Sequence, residues 1–166
     1  MMIAFWVFAG IVALFLLTAL RGAPYVPSRR QDIDRAFTEL YHISKEDHLV
    51  DLGSGDGVVL RQAAKKGASA SGFEINPVLV LVSKLLCRKY TTISVRQADF
   101  WRSKLPPDTT VIYVFGEGRD IDAMGDWIVK QAQIIGKPLF VISYGFEFKR
   151  YEPIKKVGAQ VLYRLG

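Results

Sequence analysis

The chain opens on an unbroken apolar run and then changes character. Residues 2–20 carry no charge, and Ile3, Phe5, Trp6, Val7, Phe8, Ile11, Val12, Leu14, Phe15, Leu16, Leu17 and Leu20 dominate it. About 20 apolar residues let a helix cross a bilayer with its backbone hydrogen bonds satisfied internally. The run lacks the basic start, short apolar core and small-residue cleavage site of a signal peptide, so it predicts a membrane helix. Arg21, Arg29 and Arg30 follow it, which points to a cytoplasmic, or mitochondrial matrix, position for the rest of the chain. Residues 22–28 hold Pro24 and Pro27 and read as an extended linker. The expected organisation is therefore an anchor over 1–21, a linker over 22–28 and one folded domain over 29–166.

Behind the linker the period changes. Ile33, Ala36, Phe37 and Leu40 fall on one face of a helix over 29–41, with Ser28 as its expected cap. Strands and helices then alternate. Strands are expected at 48–52, 70–75, 93–98, 111–115, 139–144 and 160–165, and helices at 58–66, 76–90 and 120–135. Asn76-Pro77 suits a helix start, and Gly67, Gly136 and Pro138 suit helix ends. The run Val111-Ile112-Tyr113-Val114-Phe115 does not alternate, as expected of a strand covered on both faces. The pattern predicts an α/β fold with a mostly parallel central sheet and helices on both sides.

Composition adds bounds. Half of the 166 residues are hydrophobic, enough for one real core. The single cysteine, Cys87, forms no internal disulfide and reads as a buried thiol. His42 and His48 are not spaced as ligands, so no metal site is expected. The net charge of +6 is scattered rather than gathered with aromatics, which argues against nucleic acid as the partner.

The candidate chemistry lies between the first strand and its helix. Asp51-Leu52-Gly53-Ser54-Gly55-Asp56-Gly57 is a turn whose glycines let backbone approach a ligand. Glu74, at the end of the second strand, is placed to accept from two ribose hydroxyls. The third glycine comes too early for a dinucleotide fingerprint, and Asp56 would repel a pyrophosphate. An acidic turn better suits an adenosine cofactor bearing a cationic amino group and a sulfonium. Asp99, with Phe100 and Trp101, follows the third strand, where a carboxylate can take the adenine amino group and an aromatic can stack on the ring.

These motifs resemble class I, Rossmann-like, S-adenosylmethionine-dependent methyltransferases. Gly72-Phe73-Glu74-Ile75-Asn76-Pro77, Pro24-Tyr25-Val26-Pro27-Ser28, Asp99-Phe100-Trp101 and the apolar start resemble more narrowly the membrane-anchored protein-lysine methyltransferases of mitochondria and their prokaryotic relatives. Those enzymes act on the ATP synthase c subunit or the adenine nucleotide carrier. The resemblance implies S-adenosylmethionine as cofactor and S-adenosylhomocysteine as product. It places Asp51, Gly53, Ser54, Gly55, Asp56 and Gly57 at the methionine end, Glu74 with Ile75 and Asn76 at the ribose, and Asp99 with Phe100 at the adenine. Glu117, Tyr25 and Tyr144 are the candidates for orienting the methyl acceptor. Phe115-Gly116-Glu117-Gly118 and Ser143-Tyr144-Gly145-Phe146 depart from the mitochondrial pattern. The expected acceptor is a lysine of a membrane protein. The alternatives are a lipid-soluble small molecule, or cofactor binding without turnover.

Overall fold

The computed structural model describes residues 28–115 and 121–166, together with Met2, Phe5, Trp6, Phe8 and Gly10. Those five are helical, and the predicted membrane span otherwise lies outside the described residues. Among the described residues no helix is long and apolar enough to cross a membrane.

Seven strands form one sheet in the order β3-β2-β1-β4-β5-β7-β6. They are β1 (His48–Leu52), β2 (Ser69–Glu74), β3 (Ile93–Gln97), β4 (Val111–Phe115), β5 (Leu139–Tyr144), β6 (Lys155–Val157) and β7 (Gln160–Leu165). The first five run parallel, and β7 returns antiparallel between β5 and β6. The helices are α1 (Arg30–Arg35), α2 (Val58–Lys65), α3 (Pro77–Cys87) and α4 (Ile121–Ile135). A π turn, Ala36–Leu40, extends α1, and a 3-10 turn, Phe100–Arg102, follows β3.

The sheet is covered on both faces, as the pattern predicts. Leu49, Ala70, Val111, Tyr113 and Ile142 point toward α1, α2 and α3, into a cluster with Ile33, Phe37, Leu60 and Ala63. Their neighbours Val50, Phe73, Ile112, Val114 and Val141 point the other way, to Met124, Ile128 and Phe148. Strand periodicity thus splits each apolar run between two cores, and both stay dry.

Some expected boundaries shift. Residue 28 does not cap α1: the cap is Arg29, with no side-chain hydrogen bond, and the Ser28 hydroxyl bonds Tyr113 instead. The third helix stops at Cys87 rather than 90, where the Tyr90 N–H turns back to the Cys87 carbonyl. Asn76 does cap α3, accepting from the N–H groups of Val78 and Leu79. Gly67 ends α2 at φ +92°, which only glycine adopts cheaply. The hairpin strand β6 went unpredicted because three residues flanked by Pro153 and Gly158 carry too little pattern.

Candidate active site

In the parallel part of the sheet, β1 has β2 on one side and β4 on the other. Chain direction across the sheet reverses there, and a crevice opens at the carboxyl ends of the strands. The glycine turn fills the mouth of that crevice.

The turn is held from beneath. The N–H groups of Gly53 and Ser54 both donate to the Phe73 carbonyl, each at 2.9 Å. Gly53 has φ +86°, and a Cβ built on it would meet nothing within 4 Å, so its free side faces open space. Gly57 has φ +77° and lies against the Ser83 hydroxyl and the Cys87 thiol, leaving no room for a side chain. Small residues on α3 let α2 start this close to it. Gly72 plays the same part below: a Cβ there would press on the Ser54 side chain at 2.5 Å. The Ser54 hydroxyl is buried and has no hydrogen-bond partner among the described residues.

Three carboxylates gather at the turn. Glu74 Oε2 accepts from the Gly55 N–H at 2.9 Å, and its Oε1 accepts from the Asn76 N–H at 2.8 Å. That pair ties the turn after β1 to the start of α3. Asp56 lies just before Gly57, the cap of α2; it accepts the Val58 N–H at 3.0 Å and pairs with Arg61 at 3.0 Å. Asp51 is fully buried, and no salt bridge joins it to a cation among the described residues. Burial first, then the charges of Glu74 and Asp56, push its carboxyl up to about 8. A cation placed beside Asp51 would favour its ionised form.

The remaining expected residues take separate positions. Ile75 is 40% exposed beside Glu74, unusual for an isoleucine that follows a buried strand. Asp99 follows β3, and its Oδ1 accepts the Trp101 N–H at 3.0 Å, which winds the 3-10 turn. Phe100 stacks on Trp101 with centroids 4.8 Å apart and meets the edge of Trp127 at 5.6 Å. The Ala98 N–H donates to the Glu74 carbonyl, so the Asp99 segment is strapped to the acid of β2.

Tyr144 ends β5, against Phe115. Its hydroxyl donates to Asp32 of α1 at 2.9 Å, and burial together with that carboxylate raises its pKa. A small cleft of about 60 Å³ opens there, lined by Asp32, Arg35, Tyr144 and Gln160 among others. No residue of the glycine turn lines it. Tyr25 and Glu117 lie outside the described residues. Sequence reasoning missed Asp32, which reads as one more acid on the polar side of a helix. It also missed Tyr113, which pairs in register with Asp51 and receives the Gln160 amide at 3.2 Å.

Sheet order, glycine turn and the spaced acids together define a Rossmann-like, class I methyltransferase domain. Known proteins place it further. The model of the ANTKMT methyltransferase domain matches residues 51–155, and the chain belongs to that family. The chain is 29% identical to the mouse lysine N-methyltransferase of the ATP synthase c subunit over 150 residues, covering 87% of this chain and 58% of that one. Against the human protein of that name it is 42% identical over 72 residues, 42% of this chain and 30% of that one. The chain thus spans little more than half the mouse relative's length and under a third of the human one's. Among solved structures, an RNA methyltransferase from Salinibacter ruber in complex with S-adenosyl-L-homocysteine superposes with a TM-score of 0.73 and 27% identity, over 84% of this chain and 92% of that one. A putative methyltransferase from Escherichia coli shares the fold, with a TM-score of 0.61 at 17% identity over 87% and 90% of the two chains.

Proposed function

We propose that the chain transfers a methyl group from S-adenosylmethionine to a lysine side chain of a membrane protein. The observation that carries the cofactor half is the buried carboxylate cluster beneath an open glycine turn. Asp51 is a buried acid with no salt-bridged cation among the described residues, and a Cβ built on Gly53 in the same turn would meet nothing within 4 Å. A group with a cationic amine and a sulfonium fits such a floor, and a pyrophosphate does not. Glu74 keeps a free lone pair on each oxygen after serving two backbone N–H groups, enough for two ribose hydroxyls. Ile75 offers an apolar side for a purine, and Asp99 an acceptor for its amino group.

When bound, the cofactor supplies an activated methyl on a sulfonium. The chain's own residues align and desolvate. A lysine amine must be neutral to attack, and an apolar, water-poor approach lowers its pKa. Tyr144, at the carboxyl end of β5 and bonded to Asp32, is one candidate for orienting that amine, and Tyr25 and Glu117 are the others. The lysine assignment rests on the family and the mouse relative. The absence of an Asn/Asp-Pro-Pro-Tyr/Phe sequence after β4, where Gly116-Glu117-Gly118 stands, speaks against an amino-base acceptor.

The apolar segment over residues 2–20 is proposed to anchor the domain on the cytoplasmic or matrix side. Anchoring raises the local concentration of membrane substrates. The test is transfer of labelled methyl from S-adenosylmethionine into a native membrane fraction, with Glu74→Ala as control. Label in a protein band, assigned to lysine by mass spectrometry and lost in the variant, is the expected outcome. Label confined to the lipid extract would replace the protein acceptor with a lipid-soluble one.

A further inference from the structure

The surface of α3 is inverted. At 100° per residue, its buried side is formed by Val80, Ser83 and Cys87, packed toward α2 and the sheet. The opposite side carries Leu81 at 69% exposure, Val82 at 37%, Leu85 at 58% and Leu86 at 45%. Small residues face inward because Gly57 sits against Ser83 and Cys87. Large apolar residues are left outward. Scattered surface apolar residues need no explanation, but four on one face of an eleven-residue helix do.

Charge decides what covers this face. Lys84 and Arg88 flank the leucines along one edge, and Lys89 closes the carboxyl end. The helix contains no acid. A second copy of the chain, docked face to face, would set these cations against each other. The apolar segment 2–20 has no negative charge to meet them. An anionic lipid surface satisfies both halves, taking the leucines at the acyl boundary and the cations at the headgroups.

We propose that α3 is a membrane-contact surface of the folded domain, selective for anionic bilayers and distinct from the amino-terminal segment; it rests on the proposed anchoring of the chain. Asn76 starts this helix and donates its N–H to Glu74, so the surface is rigidly tied to the crevice. Contact through α3 fixes how the crevice is presented to the bilayer.

The full-length chain is incorporated into vesicles of phosphatidylcholine, with or without one-third phosphatidylglycerol. A fluorophore is placed on Leu85→Cys or, as control, on exposed Lys137→Cys. Nitroxide-labelled lipid should quench the probe at 85 strongly in anionic vesicles and weakly in neutral ones, and should leave the probe at 137 bright. Neutralising Lys84, Arg88 and Lys89 to Gln should weaken surface occupancy by roughly 100-fold while the protein stays anchored. Equal quenching at 85 and 137, or quenching at 85 unaffected by lipid charge, overturns the proposal. So does a probe at 85 already shielded without lipid, which would assign the face to a second copy or to the chain's own apolar segment. None of these outcomes depends on methyl transfer.

Discussion

Asp51 shares the floor of the crevice with Glu74 and Asp56, and their charges add to the effect of its burial. The unfolded chain ionises this aspartate near pH 4, about the ordinary value. In the folded chain burial and the two neighbouring charges hold it protonated to about 8. Between those limits the folded state binds the extra proton, so this residue's contribution to stability is greatest near pH 4 and is lost as pH rises toward 8. Asp51→Asn should therefore match the parent below about pH 4 and unfold at higher temperature than the parent near pH 8, read by calorimetric melts without cofactor. A parent that gains stability over the variant as pH rises would contradict this account. Glu74 acts differently, through the Gly55 and Asn76 N–H groups it receives. Glu74→Gln swaps one acceptor for a donor aimed at a backbone N–H, at a cost of about 1–3 kcal/mol. It should lower the melting temperature as well as cofactor affinity.

At the scale of elements, the junction of α2 and α3 is the most constrained place in the chain. Gly57→Ala would place a methyl group against Ser83 and Cys87 at a positive φ. The expected loss is about 2 kcal/mol or more. Asn76→Ala removes only the cap of α3, at about 1 kcal/mol. Urea unfolding of the two variants should rank them in that order. Much of this architecture is legible in the sequence. The glycine turn, the Asn76-Pro77 start and four strands, 48–52, 111–115, 139–144 and 160–165, coincide with the structure because each is set by local steric rules or a mostly apolar run. What escapes is non-local. Whether Ser28 caps α1 or bonds Tyr113 depends on a strand more than eighty residues away. The outward leucines of α3 look like core in sequence. Only the packing of Gly57 against Ser83 shows which side of the helix is buried.

Across the whole molecule, α1 and the π turn that extends it are tied to β5 and β6 by side-chain contacts. Tyr144 reaches Asp32, and the Lys155 ammonium donates to the Glu39 carbonyl at 2.7 Å. Tyr144→Phe should cost about 1 kcal/mol of stability. If the acceptor lies there, the variant should raise the acceptor KM more than it changes cofactor affinity, a split that steady-state kinetics resolves. Cofactor at one end of the sheet's switch point and acceptor at the other is the arrangement on which the account rests, and its core is the buried acid cluster. Calorimetric titration of S-adenosylmethionine between pH 5.5 and 7.5 tests it directly, below the ordinary range of the ligand's own α-amino group at about 8. Binding should release close to one proton and tighten toward about tenfold per pH unit, because the bound cation ionises Asp51, and Asp51→Asn should bind with a flat pH profile. Binding by the parent that is independent of pH, with no proton released, would contradict the account.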